Sequence, residues 1–93
     1  MRLDLFLKSS RLIQRRSLAQ EFCDAGLISV NGAAAKSSKD VHAGDEIVIK
    51  RRSRITSVRV NAIPQSKQVA KSDAAELYEI LSDEIRPETD PLT

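Results

Sequence analysis

Ninety-three residues with fifteen Lys and Arg against thirteen Asp and Glu, a formal charge of +2, describe one small domain with a modest hydrophobic core and little room for a catalytic apparatus. A single cysteine excludes an internal disulfide and a multi-cysteine metal site, and it fits a reducing compartment. No stretch of eighteen apolar residues occurs and no long apolar segment follows Met1, so a cytoplasmic protein that neither is exported nor spans a membrane is expected.

The net charge hides an asymmetry. Residues 1–60 hold twelve Lys and Arg against six Asp and Glu, which is +6; residues 61–93 hold three against seven, which is −4. A basic body is the electrostatic footprint of a nucleic-acid binder, although an acidic protein partner would suit it equally.

The chain opens with Leu3, Phe6 and Leu7 at i, i+3 and i+4, the spacing of a short helix that buries one stripe and leaves Arg2 and Lys8 outside. After Arg11 and the pair Arg15-Arg16, Ser17 is followed three residues later by Gln20, which predicts a capping box and a second helix running to a stop at Gly26. In that helix Leu18, Ala19, Phe22 and Cys23 make the apolar face. Arg15 and Arg16 then sit beside a helix N-terminus, a place where free N–H groups and the macrodipole favour a phosphate. The plainer alternative is that both arginines are only solvated.

Leu27 to Val30 alternates as a short strand, and Asn31-Gly32 predicts a two-residue hairpin of type I′. The returning alanines, Ala33 to Ala35, are expected to pack closely against the helices. Lys36 to Lys39 is a basic connection that could lie beside the Arg15-Arg16 corner. A turn at Val41 to Asp45 leads into Glu46 to Lys50, with Ile47 and Ile49 on one face, and Ile55 to Val60 returns with Val58 and Val60 inward. The basic tip between them, Arg51 to Arg54, either contacts a ligand or keeps an exposed edge soluble and unpaired.

Pro64 ends the sheet and residues 65–71 read as a linker. Ser72 is expected to cap a last helix from Asp73 to Ile85, with Ala74, Leu77, Tyr78, Leu81 and Ile85 on one stripe and an acidic opposite face. That helix either docks on the body or serves a protein partner, and a frayed end follows from Arg86. The resulting fold class is α+β: two short helices on a small, mostly antiparallel sheet over residues 1–62, then linker, acidic helix and tail over 63–93.

Nucleophilic catalysis lacks a base, since the sole histidine, His42, falls in a turn, and Cys23 falls on a buried helix face. Metal binding fails on ligand count, and no glycine-rich phosphate loop or other cofactor motif occurs. With only Phe6, Phe22 and Tyr78 as aromatics, stacking on single strands is disfavoured and reading of backbone shape in structured RNA is preferred.

The order RLDxFLxxSRLIxRR, a helix ending at Gly26, the ISVNG hairpin, Lys36 and Gly44-Asp45 resembles the RNA-binding domain named after ribosomal small-subunit protein S-four. Within that superfamily the length and the Ala74-Ala75-Glu76-Leu77-Tyr78 tail resemble the group of ribosome-associated quality control protein P, sister to the heat-shock protein fifteen family, whose longer basic extension this chain lacks. The resemblance implies a non-enzymatic monomer that binds large ribosomal subunits obstructed by peptidyl-tRNA. It implies contact with large-subunit rRNA and with tRNA, and assistance to an RqcH/NEMF-type factor in adding an alanine-rich tail to the stalled chain. A recycling role on the same particle is the alternative, as is a small adaptor working through the C-terminal helix. The expected RNA-binding face comprises Arg2, Lys8, Arg11, Arg15, Arg16, Lys36 and Lys39, with Asp4 orienting Arg2 or Arg16 through a bidentate pair.

Overall fold

The computed structural model describes residues 1–64 and 74–85. The Ser72 cap, the linker over 65–71 and the end of the chain from residue 86 lie outside the described residues. Helix α1 covers Leu3–Ser9 and helix α2 covers Arg16–Asp24. Leu3, Phe6 and Leu7 are fully buried, as their helical spacing requires.

Helix α2 begins two residues earlier than the sequence suggests. Arg15 is its N-cap, no side chain caps it, and Ser17 is exposed in its first turn. The expected capping box does not form, because the Gln20 amide that would complete it donates instead to Asp4 on α1. Ala19 and Cys23 are buried, Phe22 packs at the margin of the core, and Leu18 is exposed. Gly26 follows the C-cap residue Ala25 at φ +75°, the left-handed conformation in which a side chain is disfavoured.

Five strands follow: β1 Ile28–Val30, β2 Ala33–Ala34, β3 Glu46–Lys50, β4 Arg54–Val60 and β5 Tyr78–Ile85. They form one sheet in the order β2-β1-β3-β4-β5, with antiparallel neighbours throughout. The β1–β2 turn has Asn31 at φ 52° and Gly32 at φ 87°, the positive pair that a type I′ turn demands. Asn31 also ties this hairpin to β3, its Oδ1 accepting from the Glu46 N–H at 3.0 Å and its Nδ2 donating to Asp45 Oδ1 at 3.2 Å. Ile28, Val30, Ile47, Ile49, Val58 and Val60 present the buried face of the sheet to the α1 stripe and to Val41. The alanines do not pack as expected: Ala33 and Ala34 form an exposed edge strand, and only Ala35 reaches the core.

The larger correction is at the C-terminal end. Asp73 lies outside the described residues, and from Ala74 onward the helix expected up to Ile85 is replaced by a 3₁₀ turn, Ala75–Leu77, and the eight-residue strand β5. Ala74 and Leu77 do dock on the body, both buried, with the Asn61 N–H donating to the Leu77 carbonyl. Beyond them the chain pairs with β4 from Val60↔Tyr78 to Arg54↔Ile85, across a bulge. Two effects select the strand. A helix would stack Glu76, Glu79 and Asp83 at spacings of three and four, where like charges repel by about 0.2–0.5 kcal/mol each. The strand instead sets Glu79 opposite Arg59, with Arg59 Nη1 to Glu79 Oε2 at 3.7 Å, and brings Asp83 Oδ1 within 3.4 Å of Arg54 Nε and 3.1 Å of the Thr56 hydroxyl, which donates to it. It also supplies β4 with a hydrogen-bonding neighbour.

Asp83→Ala removes both polar contacts from the far half of β5. The expected result is a loss of about 1–2 kcal/mol in global stability, since the Arg54–Asp83 pair is part-exposed and adds little while the buried Thr56 hydroxyl loses its acceptor, together with faster amide exchange along Tyr78–Ile85 and unchanged exchange in β1 and β3. Uniform acceleration across the sheet would contradict the local role.

Candidate nucleic-acid interface

The site is built around one carboxylate. Asp4 lies in the first turn of α1 with no exposed surface. Its Oδ1 accepts from the Leu5 N–H at 2.8 Å and lies 3.3 Å from Arg2 Nε; its Oδ2 accepts from Gln20 Nε2 at 2.8 Å and from Arg16 Nε at 3.0 Å. The arrangement differs from a bidentate fork to one arginine: each guanidinium spends only its Nε, and its terminal nitrogens are left to the surface. Arg2 and Arg16 side chains remain 47% and 40% exposed, so their charged ends face solvent. Burial raises the Asp4 pKa, but the hydrogen bonds from Gln20, Arg16 and the Leu5 amide, with the Arg16 charge, outweigh it and hold the carboxyl below its ordinary value.

The connection after Ala35 completes the same end of α1. Leu3 N–H donates to the Lys39 carbonyl at 2.8 Å and Asp4 N–H to the Ser37 carbonyl at 3.2 Å, while Arg2 and Asp40 form an antiparallel bridge. These carbonyls satisfy the orphan donors of α1. They also bring Lys36 and Lys39, both exposed, to the end of the helix that carries Arg2, Asp4 and the Arg16 contact. Asp40 itself pairs with the terminal amine, Met1 N to Oδ1 at 2.8 Å.

Lys8 and Arg11 lie elsewhere on the helix pair, while Arg15 is next to Arg16. Lys8 is in the last turn of α1, Arg11 follows its C-cap at φ 62°, and Arg15 is the N-cap of α2. Since α1 has seven residues, about 10 Å of axis separates Arg2 from Lys8 and Arg11. The structure therefore gathers Arg2, Arg16, Lys36 and Lys39 at one end of α1, with Arg15 adjacent, and places Lys8 and Arg11 at the other end. Arg11 occupies a backbone conformation that costs a non-glycine residue about 1–2 kcal/mol.

Two contributors are not evident from sequence pattern. Gln20 joins the Asp4 cluster, although its spacing from Ser17 points to a cap. Arg51, at the end of β3, donates from Nη2 to the Leu12 carbonyl and so braces the α1–α2 connector that carries Arg11 and Arg15. Arg54, in the basic tip, faces Asp83, and Arg59, farther along β4, faces Glu79, so both serve internal pairing.

Of the other chemistry-bearing groups, His42 faces Asp40, Nε2 to Oδ2 at 3.1 Å, and Cys23 is buried in α2. Burial, and then the charges of Asp4 and Asp24, push the Cys23 thiol up to about 11, so it stays protonated at neutral pH. Among the described residues no three His, Cys, Asp or Glu side chains converge on a metal position. No helix among them is long and apolar enough to cross a membrane.

The S4 domain family model matches residues 1–47, the span that contains both helices, the Asp4 cluster and the Lys36–Lys39 connection. The Bacillus subtilis (strain 168) RQC P-site tRNA stabilizing factor is 48% identical over 84 residues, covering 90% of this chain and 95% of that one. The chain belongs to that family. The Helicobacter pylori (strain 26695) RQC P-site tRNA stabilizing factor is 41% identical over 73 residues, 78% of this chain and 87% of its own. Among solved structures, trimeric Vibrio cholerae Heat Shock Protein 15 superposes with a TM-score of 0.79 at 28% identity, over 88% of this chain and 82% of that chain. The solution structure of hypothetical protein HP1423 superposes at 0.77 with 37% identity, over 90% of this chain and all of that one. The S4 fold and the two-helix-plus-sheet architecture are thereby established for this member of the RQC P-site tRNA stabilizing factor family.

Two outcomes test the site's construction. Because the folded-state pKa of Asp4 is depressed, its stabilisation is fully present above the unfolded value of 3.8 and is lost as pH falls through the folded value. Acid unfolding below about pH 4 is expected to be shallower in Asp4→Asn, which is also less stable at pH 7 by about 1–3 kcal/mol because an amide cannot accept from all four donors; an unaltered acid limb would remove Asp4 from that role. Arg51→Ala is expected to weaken RNA binding while leaving the slope of log K against log salt unchanged and accelerating amide exchange over Arg11 to Gln14. A slope smaller by about one would instead mark Arg51 as a phosphate contact.

Proposed function

We propose that this protein binds large ribosomal subunits obstructed by peptidyl-tRNA, that its basic helix-pair face contacts rRNA and tRNA backbones, and that it thereby supports an RqcH/NEMF-type factor adding an alanine-rich tail to the stalled chain. The observation that carries this reading is the pre-oriented pair Arg2 and Arg16 on buried Asp4, inside a chain 48% identical to an RQC P-site tRNA stabilizing factor over nearly the full length of both. Two guanidinium groups share one carboxylate, so the cluster keeps a net positive charge directed outward. A guanidinium held at its Nε retains its terminal nitrogens for phosphate oxygens and loses less side-chain entropy on meeting them.

In this reading Lys36 and Lys39 extend the contact of Arg2 and Arg16, and Arg15, Lys8 and Arg11 widen it to a second backbone segment. The protein acts as a monomeric cytoplasmic clamp rather than a catalyst. The fold similarity to Heat Shock Protein 15 favours, as a second reading, a recycling role on the same particle.

The test is sedimentation of the tagged protein from lysate, with the particle and any peptidyl-tRNA identified, followed by RNA binding across salt. Co-migration with free large subunits bearing peptidyl-tRNA is expected. Neutralising about five phosphates predicts a loss of roughly a hundredfold or more in affinity between 50 and 200 mM salt. Arg16→Ala is expected to reduce both affinity and slope while the protein stays folded. Salt-insensitive binding, or a protein confined to the top of the gradient at low salt, would overturn the reading.

A further inference from the structure

At the edge of the sheet opposite β2, the described residues place no second strand beside β5. In the order β2-β1-β3-β4-β5 it pairs, among the described residues, with β4 alone, and it runs for eight residues. A long edge is a template for a further strand unless charge, proline or a covering element blocks it. Three of the four large apolar side chains exposed among the described residues lie on it: Ile80 at 54%, Leu81 at 38% and Ile85 at 72%. The β4 register sorts its faces. Ile80, Asp83 and Ile85 stand opposite Val58, Thr56 and Arg54, on the side of the sheet that buries Thr56 and Val58. Glu79, Ser82 and Glu84 stand opposite Arg59, Ser57 and Ile55 on the other side.

We propose that the open edge of β5 is a docking strand for an extended segment of a protein partner in which apolar residues alternate with Lys or Arg. The backbone edge supplies the pairing, and the two faces supply the selection: apolar partner side chains meet Ile80 and Ile85, and basic ones meet Glu79 and Glu84. Charge decides among possible occupants. RNA is repelled by a strand with three acids and no cation. A second copy is disfavoured as well, because an antiparallel pair centred between Leu81 and Ser82 sets Glu79 against Glu84, and directly opposed like charges destabilise. The position suits simultaneous engagement. Four strand spacings, about 19 Å, separate β5 from β2 and the lysine-bearing connection that follows it. One end of the sheet can hold RNA while the other holds protein.

The experiment titrates the isotope-labelled full chain, free of RNA, with an eight-residue peptide alternating valine and lysine, and in parallel with one alternating valine and glutamate. Saturable amide shifts and at least tenfold slower exchange are expected along Tyr78–Ile85 with the lysine peptide only. Glu84→Lys is expected to weaken that peptide by roughly fivefold and to narrow its advantage over the glutamate peptide. Shifts elsewhere, equal binding of both peptides, no binding at millimolar concentration, or β5 shifts that track protein concentration without peptide would each overturn the proposal. RNA affinity measured on the same preparation reports separately on the helix-pair face, so failure at β5 and failure of the RNA-binding reading are distinguishable.

Discussion

The fold depends on the burial of Asp4. A carboxylate with no exposed surface would impose a desolvation cost of several kcal/mol if it stood alone, so the surrounding structure is obliged to bring donors to it. Four arrive, from Leu5, Gln20, Arg16 and Arg2, and each fixes part of the architecture. Gln20 and Arg16 set how α2 lies on α1. The Leu5 amide is one of the donors that a helix start leaves orphaned, and the connection from Ser37 to Lys39 closes over two more. The interaction that orders the helix pair is therefore also the one that holds two guanidinium groups at the surface, which ties the packing of the small core to the electrostatics of its exterior.

The cations divide into two populations with different tasks. Those before residue 40 surround α1 and α2, where the acids among them are few. Three on β3, β4 and their turn are engaged internally: Arg51 with a backbone carbonyl of the helix connector, Arg54 with Asp83 and Arg59 with Glu79. The acidic charge of residues 61–93 is thus partly folded back onto the basic charge of 1–60. Half-exposed pairs of this kind contribute little individually. Their effect is one of register, since they favour the β4–β5 alignment that places opposite charges together.

Much of this architecture is legible in the sequence where a local signal has one structural solution. Asn31-Gly32 admits a type I′ turn, Gly26 admits a left-handed helix end, and the alternation of Ile47, Ile49, Val58 and Val60 fixes which face of β3 and β4 is buried. The failures share a cause, which is that a local pattern competed with a tertiary partner. Ser17 and Gln20 have the spacing of a capping box, but the charge-assisted bond that Gln20 Nε2 donates to the buried Asp4 carboxylate outweighs the one its Oε1 would accept from the Ser17 backbone N–H. The three alanines carry no bulk to reveal their exposure. The segment 74–85 has a helical stripe, yet Glu76, Glu79 and Asp83 repel along a helix, and the arginines that resolve the conflict lie twenty or more residues away. For the site, the sequence supplies the cations and the Asp4 pairing with arginine, while the Gln20 contact and the Arg51 brace require the fold.

Features that a stability argument alone would not select accumulate around the helix pair. Arg11 takes a left-handed backbone conformation where glycine would be less strained, Asp4 is charged in a buried position, and α2 starts without a side-chain cap. Each costs stability in a domain that has only a few kcal/mol available. Each also leaves something directed outward: a guanidinium at a helix end, two arginines that share one countercharge, and a helix N-terminus without a side-chain cap, flanked by Arg15 and Arg16. Strain and buried charge concentrate where a protein must hold groups ready for a ligand rather than satisfy them internally. That concentration sets the helix pair apart from the better-satisfied basic tip of β3 and β4, and it supports placing the proposed RNA contact there.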